Sequence, residues 1–283
     1  MSTVGIAFAA LGSGIRGGAA AILSPGFMPP DPARIAPPRR GLLLLEARTV
    51  LELAALVPAY PFLRRAPAGD GHPVLVLPGF LFGDFSTHAL RRFLRARGYR
   101  AHGWTLGRNL GPSPETAAAM GDRLHHLADQ HGRRVSLIGW SLGGVYAREL
   151  ARRFPAVVRQ VITLASPFRD VEATNVPRFL VVVARRRHLP GEEDYGAEFA
   201  APLPVPSTAI SSRTDGIVAW QSCREHEGPT SESLEVEASH LGIGHHPVAL
   251  LTIADRLAQP EGQWRPFAPP SDWAWPLVPR KPR

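Results

Sequence analysis

Two hydrophobic periods take turns along most of the chain. From residue 71 onward, short apolar runs bounded by Gly or Pro alternate with longer stretches that repeat apolar residues every three or four positions. Residues 72–80 (HPVLVLPGF) form the first such run, closed by Pro78-Gly79. A strand apolar on both faces belongs inside a parallel sheet. Residues 87–97 have helical spacing and stop at Gly98, and residues 99–104 offer a second strand. Residues 114–131 form a helix with Met120, Leu124 and Leu127 on one face. VSLIG is a third strand, followed by a helix over residues 142–154 that ends at Pro155. Residues 157–165, 207–212 and 234–238 supply further strands, and residues 247–258 a closing helix. Alternation of this kind predicts an α/β fold, a mostly parallel sheet with helices on both faces.

The flanks and one interior stretch break the rhythm. Residues 1–40 are punctuated by Pro and Gly and read as a flexible leader. An N-terminal helical extension is expected over residues 41–70. Within it, residues 42–57 (LLLLEARTVLELAALV) gather Arg48, Thr49 and Glu52 on one face, with Glu46 beside them, and leave the rest apolar. Such a wide stripe is expected to pack on the neighbouring core; the alternative is a surface that meets lipid or a second subunit. The main domain then covers residues 71–260. Inside it, residues 170–206 are too long for a simple connection and read as a lid-like insertion. Residues 261–283 form a tail with Trp264, Trp273 and Trp275 among prolines.

Charge adds little to this picture. The 283 residues carry 32 basic and 24 acidic side chains, a net charge of +8. Lys281 is the only lysine, and the arginines are dispersed apart from residues 185–187. No basic region is interleaved with aromatics, so nucleic acid is not an expected partner. Cys223 is the only cysteine, which rules out an intramolecular disulfide. Residues 4–15 are apolar, but no positive charge precedes them and the run is shorter than the about 20 residues of a membrane span. A cytoplasmic protein is the expectation, with transient membrane contact open.

Candidate chemistry enters at Gly139-Trp-Ser141-Leu-Gly143, which lies between a strand and a helix. A serine at such a turn is lifted above the sheet, and glycines keep side chains off the crossing backbones. Ser141 is therefore the candidate nucleophile. It needs a histidine base oriented by a carboxylate, in the chain order Ser, acid, His. Asp215, in SSRTDGIV, follows the strand at 207–212, and Asp170 is the alternative acid. His240 follows the last strand on a glycine-containing loop, with His245 as the alternative base. Backbone amides of Phe80 and Leu142 are the candidate oxyanion donors. Three histidines at 240, 245 and 246 lack a second cluster of ligand spacing, so no metal is expected.

VLVLPGF, GWSLGG, LASPF, SRTDGIV and SHLGIGHHP together resemble the α/β-hydrolase superfamily on its lipase/esterase branch, over residues 71–258 and in the family's order. The resemblance implies Ser141, Asp215 and His240 as a triad, an acyl-serine intermediate, and no cofactor. Pro78-Gly79 departs from the His-Gly of many lipases, which leaves the hydrogen-bond support of the oxyanion loop to be found elsewhere. Leu81, Phe82 and Trp140 flank the site and suggest an acyl chain, hence a small-molecule or lipid ester. An acyltransferase with the same triad, or a non-catalytic binding protein on the same fold, are the rival readings.

Overall fold

The computed structural model describes residues 34–177, 200–269 and 279–281. The strands are β1 (Pro73–Leu77), β2 (Arg100–Gly103), β3 (Val135–Trp140), β4 (Val158–Leu164), β5 (Ser207–Ser211) and β6 (Ser231–Glu235). They pair in the order β2-β1-β3-β4-β5-β6, and every pair is parallel. Six helices accompany them among the described residues: α1 (Thr49–Ala54), α2 (Leu56–Leu63), α3 (His88–Ala96), α4 (Pro114–His131), α5 (Leu142–Arg153) and α6 (Pro247–Leu257). A 3-10 helix, Arg40–Arg48, leads into α1, and a second one covers Trp220–Cys223.

Alternation along each strand divides the core in two. Val74, Val76, Ile138 and Ile162 point to one face, where they meet Leu90 and Leu94 of α3 and the apolar side of α6. Leu75, Leu77, Leu137 and Val161 point to the other, against Leu124 and Leu127 of α4 and Ala147 and Leu150 of α5. Both faces are thus covered, which is why β1 carries a continuous apolar run and every residue of β1, β3 and β4 is buried. Local signals fix the helix ends. Ser113 caps α4 by accepting the Thr116 amide at 3.1 Å, and Gly132 closes it with φ 60°.

The sheet also fixes where chemistry belongs. The chain runs from β1 outward to β2, then returns to lay β3 on the other side of β1. The loops leaving β1 and β3 therefore diverge at a topological switch point, where crevices form at the carboxyl ends of parallel strands. The amino ends hold a buried polar group instead. His72 Nε2 lies 2.8 Å from Ser136 Oγ, and Asp70 binds both His72 and Arg159.

Two expectations need correction. The last strand spans Ser231–Glu235 rather than 234–238. Its first half is polar, yet Glu232 is buried because Arg256 of α6 pairs with it at 2.7 Å. The second correction is larger. Residues 42–57 do not bury their apolar stripe. Glu46 and Glu52 face inward at 7% exposure each, while Leu44 is 81% and Val57 78% exposed. The polar face turns inward because backbone amides there satisfy both carboxylates. The end of the extension joins the core through Ala59, Leu63 and Ala66, with Leu56 packed against them. The expected lid lies largely at residues 178–199, outside the described residues.

Candidate active site

At the carboxyl end of β3 the backbone turns sharply into α5. Ser141 occupies the corner with φ 53° and ψ −122°, a conformation that L-residues rarely adopt. Its amide donates to the Leu164 carbonyl at 2.8 Å, and its carbonyl accepts from Gly144 at 2.9 Å. Glycine is required around it. A Cβ on Gly139 would strike the Gly143 carbonyl, one on Gly143 the Leu77 carbonyl, and one on Gly144 the Ser166 hydroxyl.

The loop after β1 lies against this corner. A Cβ on Gly79 would sit 3.2 Å from the Ser141 Cβ. Among the described residues, the amides of Phe80 and Leu142 donate to no protein acceptor. Asn109 shapes the loop. Its side-chain amide donates to the Pro78 carbonyl at 2.9 Å, its backbone carbonyl accepts from Leu81 at 2.7 Å, and its amide donates to the Phe82 carbonyl at 2.8 Å. The Tyr146 hydroxyl in turn donates to Asn109 Oδ1 at 3.3 Å. Asn109 thus supplies the support that the Pro78-Gly79 departure left open. In sequence it sits in GRNLG and looks like any loop asparagine.

Asp215 and His240 meet at the carboxyl ends of β5 and β6. His240 Nδ1 lies 2.7 Å from Asp215 Oδ2, and both residues are buried. The other carboxylate oxygen, Oδ1, accepts from the amides of Ile217 and Val218, each at 2.8 Å. Burial alone would lower the His240 pKa. The charge and hydrogen bond of Asp215, joined by the charge of Glu46, outweigh it and hold the imidazole above its ordinary value. The loop that carries His240 is tied to the serine corner by Trp140, whose indole N–H donates to the His240 carbonyl at 3.0 Å.

The alternative residues are otherwise engaged. Asp170 accepts from Glu172 and Ile35 backbone amides. His245 Nε2 lies 3.1 Å from the Thr49 carbonyl. Leu81 and Phe82 are exposed, and the ring of Phe82 stacks on Trp140 at 6.4 Å between centroids. Trp140 itself is buried and packs on Gly244. Phe85, not singled out from the sequence, is 94% exposed beside them in the chain.

Sequence reasoning also missed what clasps these loops. Glu46 Oε1 accepts from the amides of Gly216 at 2.8 Å and His240 at 3.0 Å, and Oε2 accepts from Leu241 at 3.0 Å. Glu52 accepts from both the amide and the hydroxyl of Ser239. Arg48 bridges Glu52 at 3.0 Å and donates to the Thr214 hydroxyl at 2.6 Å.

No family model matches the chain, and no curated protein matches it. Solved structures do. A metagenome-derived lipolytic enzyme from a study of LipS and LipT superposes with a TM-score of 0.51 at 15% identity, over 66% of this chain and 96% of that one. Lipase B of Aspergillus fumigatus gives a TM-score of 0.52 at 17% identity, over 67% of this chain and 53% of that one. At such identities the likeness is one of fold. Among the described residues, no helix is long and apolar enough to cross a membrane.

Proposed function

We propose that this chain, which has the α/β-hydrolase fold, cleaves carboxylic esters through an acyl-serine intermediate. The observation that carries this reading is the buried Asp215–His240 contact, tied through Trp140 to a serine held in a strained strand-to-helix turn. In the proposed first half-reaction, His240 Nε2 takes the Ser141 proton as Oγ attacks the ester carbonyl. Asp215 keeps the other imidazole proton on Nδ1 and stabilises the imidazolium. The tetrahedral oxyanion accepts from the amides of Phe80 and Leu142. The intermediate collapses, the C–O bond breaks, and His240 passes its proton to the departing alcohol. Water then attacks the acyl-serine with His240 again as base, and the acid and free Ser141 are released.

Exposed Leu81, Phe82 and Phe85 beside the oxyanion loop favour an acyl substrate with an apolar chain. Hydrolysis of a short p-nitrophenyl ester tests the reading. Ser141→Ala should lose about a millionfold in kcat while remaining folded. Near-normal turnover by a folded Ser141→Ala variant would remove the assignment. Product analysis in the presence of an acceptor alcohol separates hydrolysis from acyl transfer.

A further inference from the structure

The N-terminal extension presents an unusual exterior. Every exposed residue between Arg40 and Arg64 is uncharged, among them Leu44, Val50, Leu51, Val57, Tyr60 and Phe62. Exposed arginine pairs bracket the stretch, Arg39-Arg40 before it and Arg64-Arg65 after it. The two acids of the segment, Glu46 and Glu52, are both turned inward. Charge therefore selects the occupant. Two copies meeting through this face would bring together segments that expose arginine pairs and no carboxylate of their own. An anionic lipid surface offers acyl chains to the apolar stripe and phosphates to the arginines. We propose that the outward face of residues 43–62 docks this protein on an anionic lipid surface.

The test is co-sedimentation of the full-length protein with phosphatidylcholine vesicles, with and without phosphatidylglycerol. Binding should need phosphatidylglycerol and weaken with salt. Arg64→Ala and Arg65→Ala should each weaken partition about fivefold. Leu51→Gln with Val57→Gln, both fully outward, should weaken it at least about tenfold without altering the melting temperature. Absence of binding, or equal binding to both vesicle types, overturns the proposal. So does a lipid-free dimer that the Leu51/Val57 variant converts to monomer. None of these readouts depends on the esterase reading.

A separate observation concerns the inward face. One carboxylate, Glu46, holds the residue after Asp215 and the two residues at the head of the base loop. The approach is built in on both sides. A Cβ on Gly216 would collide with the Leu42 carbonyl, and one on Gly242 with the Glu52 carboxylate. The acid and base loops come from different strands, so their mutual placement depends on whatever bridges them. We infer that Glu46 is a positioning residue that locks the Asp215–His240 pair, a role that rests on the triad reading. The charged groups around His240 are Asp215, Glu46 and, one turn on, the Arg48–Glu52 pair, with His245 on the same loop.

Glu46→Gln keeps the shape but removes the charge and sets an amide N–H₂ among backbone donors. It should lower kcat for a soluble ester by about 10- to 100-fold with little change in KM. Its acid limb should move to lower pH, because Glu46 contributes to the raised His240 pKa. An NMR titration of His240 in the same variant should show the same downward shift without requiring any turnover. An unchanged His240 titration overturns the inference, as does a loss of kcat that only follows the unfolded fraction. Failure of the triad reading shows separately, as wild-type protein that does not react with a fluorophosphonate.

Discussion

Replacing Asp215 by Asn changes one atom and one charge, and the structure dictates how the new side chain must sit. Oδ1 accepts two backbone amides at 2.8 Å each, from Ile217 and Val218, while Oδ2 receives His240 at 2.7 Å. An asparagine can keep its oxygen on the two amides, or keep it on the imidazole. The second choice sets its N–H₂ group against two buried N–H donors, each costing about 1–3 kcal/mol when left unsatisfied. The first choice keeps both amide bonds and only reverses the bond to the imidazole. The N–H₂ group will therefore face His240 Nδ1 and donate to it. The imidazole proton then moves to Nε2, the nitrogen that must be empty to take the serine proton. A base in the wrong tautomer costs about 10⁴-fold in kcat, or roughly 5.5 kcal/mol of transition-state stabilisation. Steady-state turnover of a short p-nitrophenyl ester, alongside a thermal melt, measures this. In wild type, activity should fall as pH drops through the raised His240 pKa, because the protonated ring cannot act as a base. A folded Asp215→Asn variant within tenfold of wild type would refute the tautomer argument and Asp215 with it.

Three further outcomes follow from other contacts. Asn109→Ala removes the side-chain bond to the Pro78 carbonyl and should lower kcat by up to about 10²-fold; an unchanged kcat in a folded variant would show that the loop holds itself. Arg148 and Glu225 form a buried ion pair, with the guanidinium 3.9 Å from the Phe168 ring centroid. Glu225→Ala should cost about 3–5 kcal/mol in urea unfolding, and the double variant with Arg148→Met should recover much of it. Burial holds His72 down to about 4 from an ordinary 6.5, so within that window the unfolded chain binds a proton that the folded one does not. Stability from this group is complete above the upper value and lost as pH falls, by roughly 3 kcal/mol, and His72→Gln should flatten that slope in urea titrations at successive pH values.

What could be read from the sequence was what local physics encodes. The strained corner at Ser141 needs an apolar strand before it and glycines around it, and all of these are neighbours in the chain. Strands buried on both faces are legible as continuous apolar runs. The start of β6 is hidden because its first residues are polar, and Glu232 is neutralised by an arginine 24 positions away. The N-terminal extension shows the limit more sharply. Amphipathicity reports that a segment has two faces, but not which one meets the protein. Glu46 finds its partners 170 to 195 residues away, and all of them are backbone amides, which carry no side-chain signal. Asn109 is hidden for the same reason, since it binds the backbone of a loop that bears no matching residue.

In the proposed mechanism Ser141 is a nucleophile activated by His240. The most direct test is to treat the full-length protein with a fluorophosphonate and locate the adduct by peptide mass spectrometry. One adduct per chain is expected, on Ser141, with a labelling rate that rises with pH as His240 loses its proton and that collapses in His240→Ala. A folded protein that stays unlabelled, or one labelled at another residue, would contradict it.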